Sequence, residues 1–107
     1  MVVNTEKAYS IVNAYGKQHQ LYKVAEELSE LQTLVLQDAN ENGKVQIGRI
    51  AEEIADVYVM LKQLEIINFL DDRDIQPIID YKLDRTINGI NEWRKKEGSE
   101  TKDVCRK

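Results

Sequence analysis

Cysteine, proline and histidine occur once each in this chain of 107 residues. Cys105 has no partner in its own chain, so a disulfide framework is excluded and a reducing compartment is expected. One proline and five glycines leave long stretches free of helix breakers. A single histidine, His19, excludes the Glu-x-x-His pairs of a di-iron helical bundle, and with one distant cysteine it leaves nucleophilic catalysis without support. No Gly-rich phosphate loop is present. A formal charge of −4 runs against the clustered Lys and Arg that phosphate-backbone binding needs, so nucleic acid is not an expected partner. No run approaches the roughly 20 apolar residues of a membrane span. "MVVNTEKAYS" has neither the basic start nor the apolar core of a signal peptide, so a cytoplasmic protein without a membrane partner is expected.

What is present is 42% hydrophobic and 32% charged residues, an ordinary globular balance for one domain with one modest core. Ala8, Ile11, Val12 and Tyr15 follow the i, i+3, i+4, i+7 spacing of one helical face, with Gly16 placed to end that helix. Leu21, Val24, Ala25, Leu28, Leu31, Leu34 and Val35 hold the same period from about His19 to Asp38. "DANENGKVQ" reads as a loop. A third helix is predicted from near Ile47 to about Asn68, with a stripe of Ile50, Ile54, Val57, Tyr58, Leu61 and Leu64 that Val59, Met60, Ile66 and Ile67 widen. A helix apolar over so much of its circumference is buried on several sides, and in so small a chain a second subunit is expected to supply part of that cover. Pro77 suits the first turn of a fourth helix carrying Ile79, Leu83, Ile87, Ile90 and Trp93. The reading is all-α, with a helical domain over 1–96 and a flexible charged tail over 97–107.

Two nearly identical heptapeptides stand out, "AEELSEL" at Ala25–Leu31 and "AEEIADV" at Ala51–Val57. On a helix Glu27 and Glu30 are i, i+3 neighbours, as are Glu53 and Asp56, so each helix carries a carboxylate pair along an edge of its apolar stripe. Taken alone, such a pair is most often a solvated face. A short connection between long helices favours an antiparallel hairpin, and both pairs then lie roughly 10 to 15 Å from the turn and come level across it. Four carboxylates would face a common point. Like charges about 5 Å apart repel by roughly 3 kcal/mol at an effective dielectric near 20, so the cluster calls for a cation. All-oxygen donors that leave room for water and phosphate suit Mg²⁺, with Mn²⁺ as a substitute.

"EELSE", twenty-two residues, then "EIAD" resembles the ExxE and ExxD signature of the MazG-like all-α nucleotide pyrophosphohydrolases. "YGKQHQLYKVAEELSEL", "EEIADVYVMLKQL" and "YKLDRTINGI" are similar to segments of the small single-domain bacterial and phage members, and the likeness covers roughly Ala14 to Trp93. The resemblance implies a four-helix bundle built on a central helix hairpin and assembled as a homodimer or homotetramer. It implies hydrolysis of a nucleoside triphosphate to monophosphate and pyrophosphate, with Mg²⁺ held at Glu27, Glu30, Glu53 and Asp56. It also places the basic Lys82 and Arg85 against the triphosphate. Base preference, standard or damaged nucleotide, and the number of metals stay open.

Other residues carry weaker signals. Glu26 or Glu52 could orient the attacking water as base. Lys23, four residues before Glu27, can meet a substrate phosphate or pair with Glu27. His19 can touch substrate, although a lone histidine at a helix start is more often structural or exposed. Asp38, Asn40, Asn42 and Gly43 match the opening of an EF-hand loop, but Arg49 stands at the twelfth position, where a bidentate Glu should close it, so a polar turn is expected. The alternative to an enzyme is a helical oligomer whose acidic seam binds a partner or regulator.

Overall fold

The computed structural model describes residues 2–41, 43 and 45–98. These form four helices and no strand: α1 Thr5–Tyr15, α2 Lys17–Asn40, α3 Ile47–Ile67 and α4 Asp72–Glu97. The predicted tail beyond Gly98, with Cys105, lies outside the described residues. No helix among the described residues is long and apolar enough to cross a membrane. The chain divides into two units, Met1–Leu70 with α1 to α3 and Asp71–Lys107 with α4.

In the first unit, the Asn4 side chain caps α1 by accepting from the Lys7 amide at 2.8 Å. Gly16 then turns the chain straight into α2 at a φ of 94°, a backbone conformation that a side chain disfavours. This tight joint starts α2 at Lys17, two residues before the apolar period alone suggests. At its other end α2 runs on to Asn40, so the polar connection shrinks to 41–46. Asp38 and Asn40 are therefore helical, which removes the first ligand positions of a calcium loop. α3 ends in a Schellman-type closure, Leu70 N–H to Glu65 C=O at 2.8 Å and Phe69 N–H to Ile66 C=O at 3.1 Å. Phe69 occupies the left-handed position usual for glycine, at φ 59°, and its ring is exposed.

α2 and α3 pack antiparallel: Gln20 near the start of α2 bonds Gln63 near the end of α3, while Glu30 meets Glu53 nearer the connection. The seam between them follows alternating steps of four and three residues. On α2 it comprises Gln20, Val24, Glu27, Leu31 and Leu34; on α3 it comprises Ile50, Glu53, Val57, Met60, Leu64 and Ile67, all buried or half-buried. This is the narrow stripe of a coiled-coil-like contact. It narrows the expected stripes: Leu21, Val24, Leu31 and Leu34 on α2 and Ile50, Val57 and Leu64 on α3 are buried or half-buried, whereas Ala25, Leu28 and Val35 on α2 and Ile54, Tyr58 and Leu61 on α3 are exposed. α1 closes one side with Ala8 buried and Ile11 and Val12 half-buried, as its spacing predicts, while Tyr15 of the same set is exposed.

In the second unit, α4 begins five residues before Pro77. A capping box sets this start: Asp71 accepts from the Arg73 amide at 2.8 Å and Asp74 accepts from the Asp71 amide at 2.9 Å. Pro77 consequently sits inside the helix. Arg94, Lys95 and Lys96 occupy the last turn, where cations favour the helix dipole, and α4 buries none of its residues.

Candidate metal centre

The seam places Glu27 and Glu53 where apolar side chains would ordinarily sit. Each is one step along from a buried apolar residue, Val24 on α2 and Val57 on α3. Glu30 lies one turn after Glu27 and is exposed at the mouth. One carboxylate oxygen from each of the three comes within 4.8 Å of the others. Glu27 Oε1 and Glu53 Oε1 are buried and accept no hydrogen bond. A buried polar atom without a partner costs about 1–3 kcal/mol, more when charged, and nearly all such atoms in native proteins are satisfied. Two orphaned oxygens beside a third carboxylate form a donor set that a hard cation would satisfy.

The electrostatics of the trio register on Glu30. Its carboxyl is raised above 4.5, first by the Glu27 charge, then by burial and by Glu53. The folded chain therefore keeps this proton at pH values where the unfolded chain has lost it. Stability from Glu30 is present at low pH and disappears as pH climbs from the unfolded value through the raised one. In EDTA the wild type should thus lose stability across that window while Glu30→Gln loses less. Urea melts at stepped pH measure this, and parallel pH profiles for the two proteins would contradict the assignment.

Asp56 does not join the trio: it lies on α3 one turn after Glu53 but is exposed and outside the group of three. Lys23 Nζ is held between Glu26 at 3.2 Å and Glu27 at 3.4 Å, so the ion-pair alternative for Lys23 is the one seen. Hydrogen bonds to Glu26 and Glu27 raise its pKa further, which keeps it charged. Glu26 and Glu52 are exposed. Lys82 and Arg85 share a face of α4 in the second unit, where the Arg85 guanidinium lies 5.7 Å from the Tyr81 ring centre.

Three features escaped the sequence reading. Arg49 lines one cavity of ≈230 Å³ with Ser29, Glu30, Thr33, Leu34 and Glu53. Its only sequence signal is the i, i+4 step to Glu53. Gln20 and Gln63 form a buried amide pair, Nε2 to Oε1 at 2.7 Å, inside the α2–α3 contact. His19, exposed and stacked on Tyr15, donates from Nδ1 to Gln20 Oε1 at 2.6 Å, since an amide oxygen can only accept. No family model, no curated protein and no solved structure matches this chain.

Proposed function

We propose that the chain is a Mg²⁺-dependent nucleoside triphosphate pyrophosphohydrolase. The observation that carries this reading is the pair of buried, partnerless carboxylate oxygens of Glu27 and Glu53, converging with Glu30 across two antiparallel helices. The heptapeptide signature and its MazG-like likeness supply the substrate class. Residues and cation fit one another: three hard oxygen donors, two of them fixed by seam packing and one free at the mouth. Asp56 becomes a fourth donor if its side chain turns inward.

When bound, Mg²⁺ supplies Lewis acidity toward phosphate oxygens and toward water, and offsets charge on the pyrophosphate leaving group. The protein's own part is positional. Glu27 and Glu53 keep their oxygens in place because moving either one would open the helix contact, whereas exposed Glu30 can adjust to what enters. The proton released by the attacking water passes to a carboxylate outside the donor set, and Glu26 and Glu52 are the two such acids in the heptapeptides. Lys23 is paired with Glu26 and Glu27, and the MazG-like likeness alone offers Lys82 and Arg85 of α4 as cations for the triphosphate. Oxygen from water joins the α-phosphorus and the bond to the bridging oxygen breaks, giving monophosphate and pyrophosphate.

Exposed Leu28, Val35, Leu36, Ile54, Tyr58 and Leu61 on α2 and α3 support assembly with further copies of the chain. Incubation with Mg²⁺, or Mn²⁺ in its place, and a panel of ribo- and deoxynucleoside triphosphates tests the reading, with the mass of the active species taken by light scattering. Monophosphate and pyrophosphate from a dimer or tetramer are expected. Diphosphate and phosphate would overturn the reaction assignment, a monomeric active species would overturn the assembly, and no turnover of standard or oxidised nucleotides would leave the acidic seam as a partner-binding surface.

A further inference from the structure

We propose that Arg49 grips the polyphosphate chain of the substrate at the mouth of the carboxylate centre, an inference that rests on the metal reading above. Arg49 shares its ≈230 Å³ cavity with Glu30 and Glu53, so a ligand drawn to these two carboxylates enters a space that Arg49 lines. The charge balance calls for such a group. Three ionised carboxylates outweigh one divalent cation, and the remaining negative charge repels an incoming polyphosphate unless a cation stands beside it. Lys23 is engaged by Glu26 and Glu27. Among the described residues Arg49 forms no ion pair, although Glu53 stands at the i, i+4 position that would allow one.

Its position is unfavourable for helix formation, which argues against a merely structural role. Arg49 sits in the first turn of α3, whose N-cap residue Gln46 makes no side-chain cap bond and whose first turn holds no acidic residue. A cation there opposes the helix dipole. The same placement sums with the dipole to attract an anion at the end of α3 that carries Arg49. Gly48, next to Arg49, adds no side chain, and the space at its Cβ position is open. The cavity therefore brings together the carboxylates of Glu30 and Glu53 and the cationic side chain of Arg49. A phosphate bridging the two is the ligand that satisfies both.

Calorimetric titration with Mg²⁺ alone, and then with inorganic pyrophosphate at saturating Mg²⁺, separates the roles. Arg49→Gln should weaken pyrophosphate binding by tenfold or more while Mg²⁺ affinity holds or tightens, because a repelling cation has been removed. Arg49→Lys should recover part of the loss, since a point charge lacks the bidentate fork. Wild-type pyrophosphate affinity in Arg49→Gln with Mg²⁺ still bound would overturn the role of Arg49 and leave the metal reading standing. Loss of both affinities would mark Arg49 as structural and overturn it too. A wild type that takes up no Mg²⁺ would overturn both readings together.

Discussion

On the proposed reading, Glu53→Gln is expected to abolish stabilisation by Mg²⁺ and to lower nucleotide turnover by about 10³-fold, the loss that several kcal/mol of missing charge stabilisation implies. The substitution keeps the shape of the side chain and removes one charge from a trio whose oxygens lie within 4.8 Å. Two like charges at that separation repel by about 3 kcal/mol at an effective dielectric near 20, so the metal-free variant is expected to melt higher than metal-free wild type. Mg²⁺ reverses the order. A ligand bound only by the folded state adds about 2.7 kcal/mol at 100 times its Kd, and the variant no longer collects this gain. Thermal melts with EDTA and with graded Mg²⁺ show both effects in one series. An unchanged Mg²⁺ response in Glu53→Gln, or turnover equal to wild type, would remove Glu53 from the site.

Leu34→Ala has the largest expected effect on stability. Leu34 is 2% exposed, lies in the α2–α3 seam and also lines the cavity of Arg49 and Glu53. Truncating such a leucine costs about 2–5 kcal/mol through lost transfer energy and the void left behind. A small domain has only about 5–15 kcal/mol in total. The urea midpoint should fall sharply, and Mg²⁺ should restore part of the loss by mass action, because the folded fraction is the one that binds. A fall below about 1 kcal/mol would show that the seam collapses around the gap. It would also show the cavity wall to be softer than the packing indicates.

The helices were legible because apolar spacing and the scarcity of proline and glycine agree along most of the chain. Their phase was less so. The apolar residues of α3 include Ile50, Val57, Met60, Leu64 and Ile67 together with Ile54, Tyr58 and Leu61, and apolarity alone does not say that only the first five form the buried or half-buried row. The row runs on without a gap from Val57 back to Ile50 only when Glu53 is admitted to it. Hydrophobic periodicity discards a carboxylate by construction, and so places the acids beside the seam instead of within it. The convergence of Glu27, Glu30 and Glu53 was readable from the two heptapeptides and the length of the connection. The outward turn of Asp56 was not, since two residues one turn apart are equally level with the opposing helix. Pro77 suggested a late start for α4 because a first-turn proline is a strong signal, but the reciprocal Asp71 and Asp74 caps are stronger. In the sequence Arg49 signals only that a calcium loop is spoiled, and the cavity it shares with Glu30 is a tertiary fact that no local pattern carries.

The buried amide pair of Gln20 and Gln63 acts as a vernier for the hairpin. Apolar side chains grip almost equally well after a slide of one helix past the other, whereas a hydrogen bond of 2.7 Å has one setting. A shift of one turn, about 5.4 Å, would break this bond and leave Gln20 Nε2 and Gln63 Oε1 without their present partners, a penalty of about 1–3 kcal/mol for each orphaned group. The carboxylates stand further along the same two helices and inherit that setting. Alignment of the trio is thus decided at the far end of the hairpin, by two uncharged residues that never touch it.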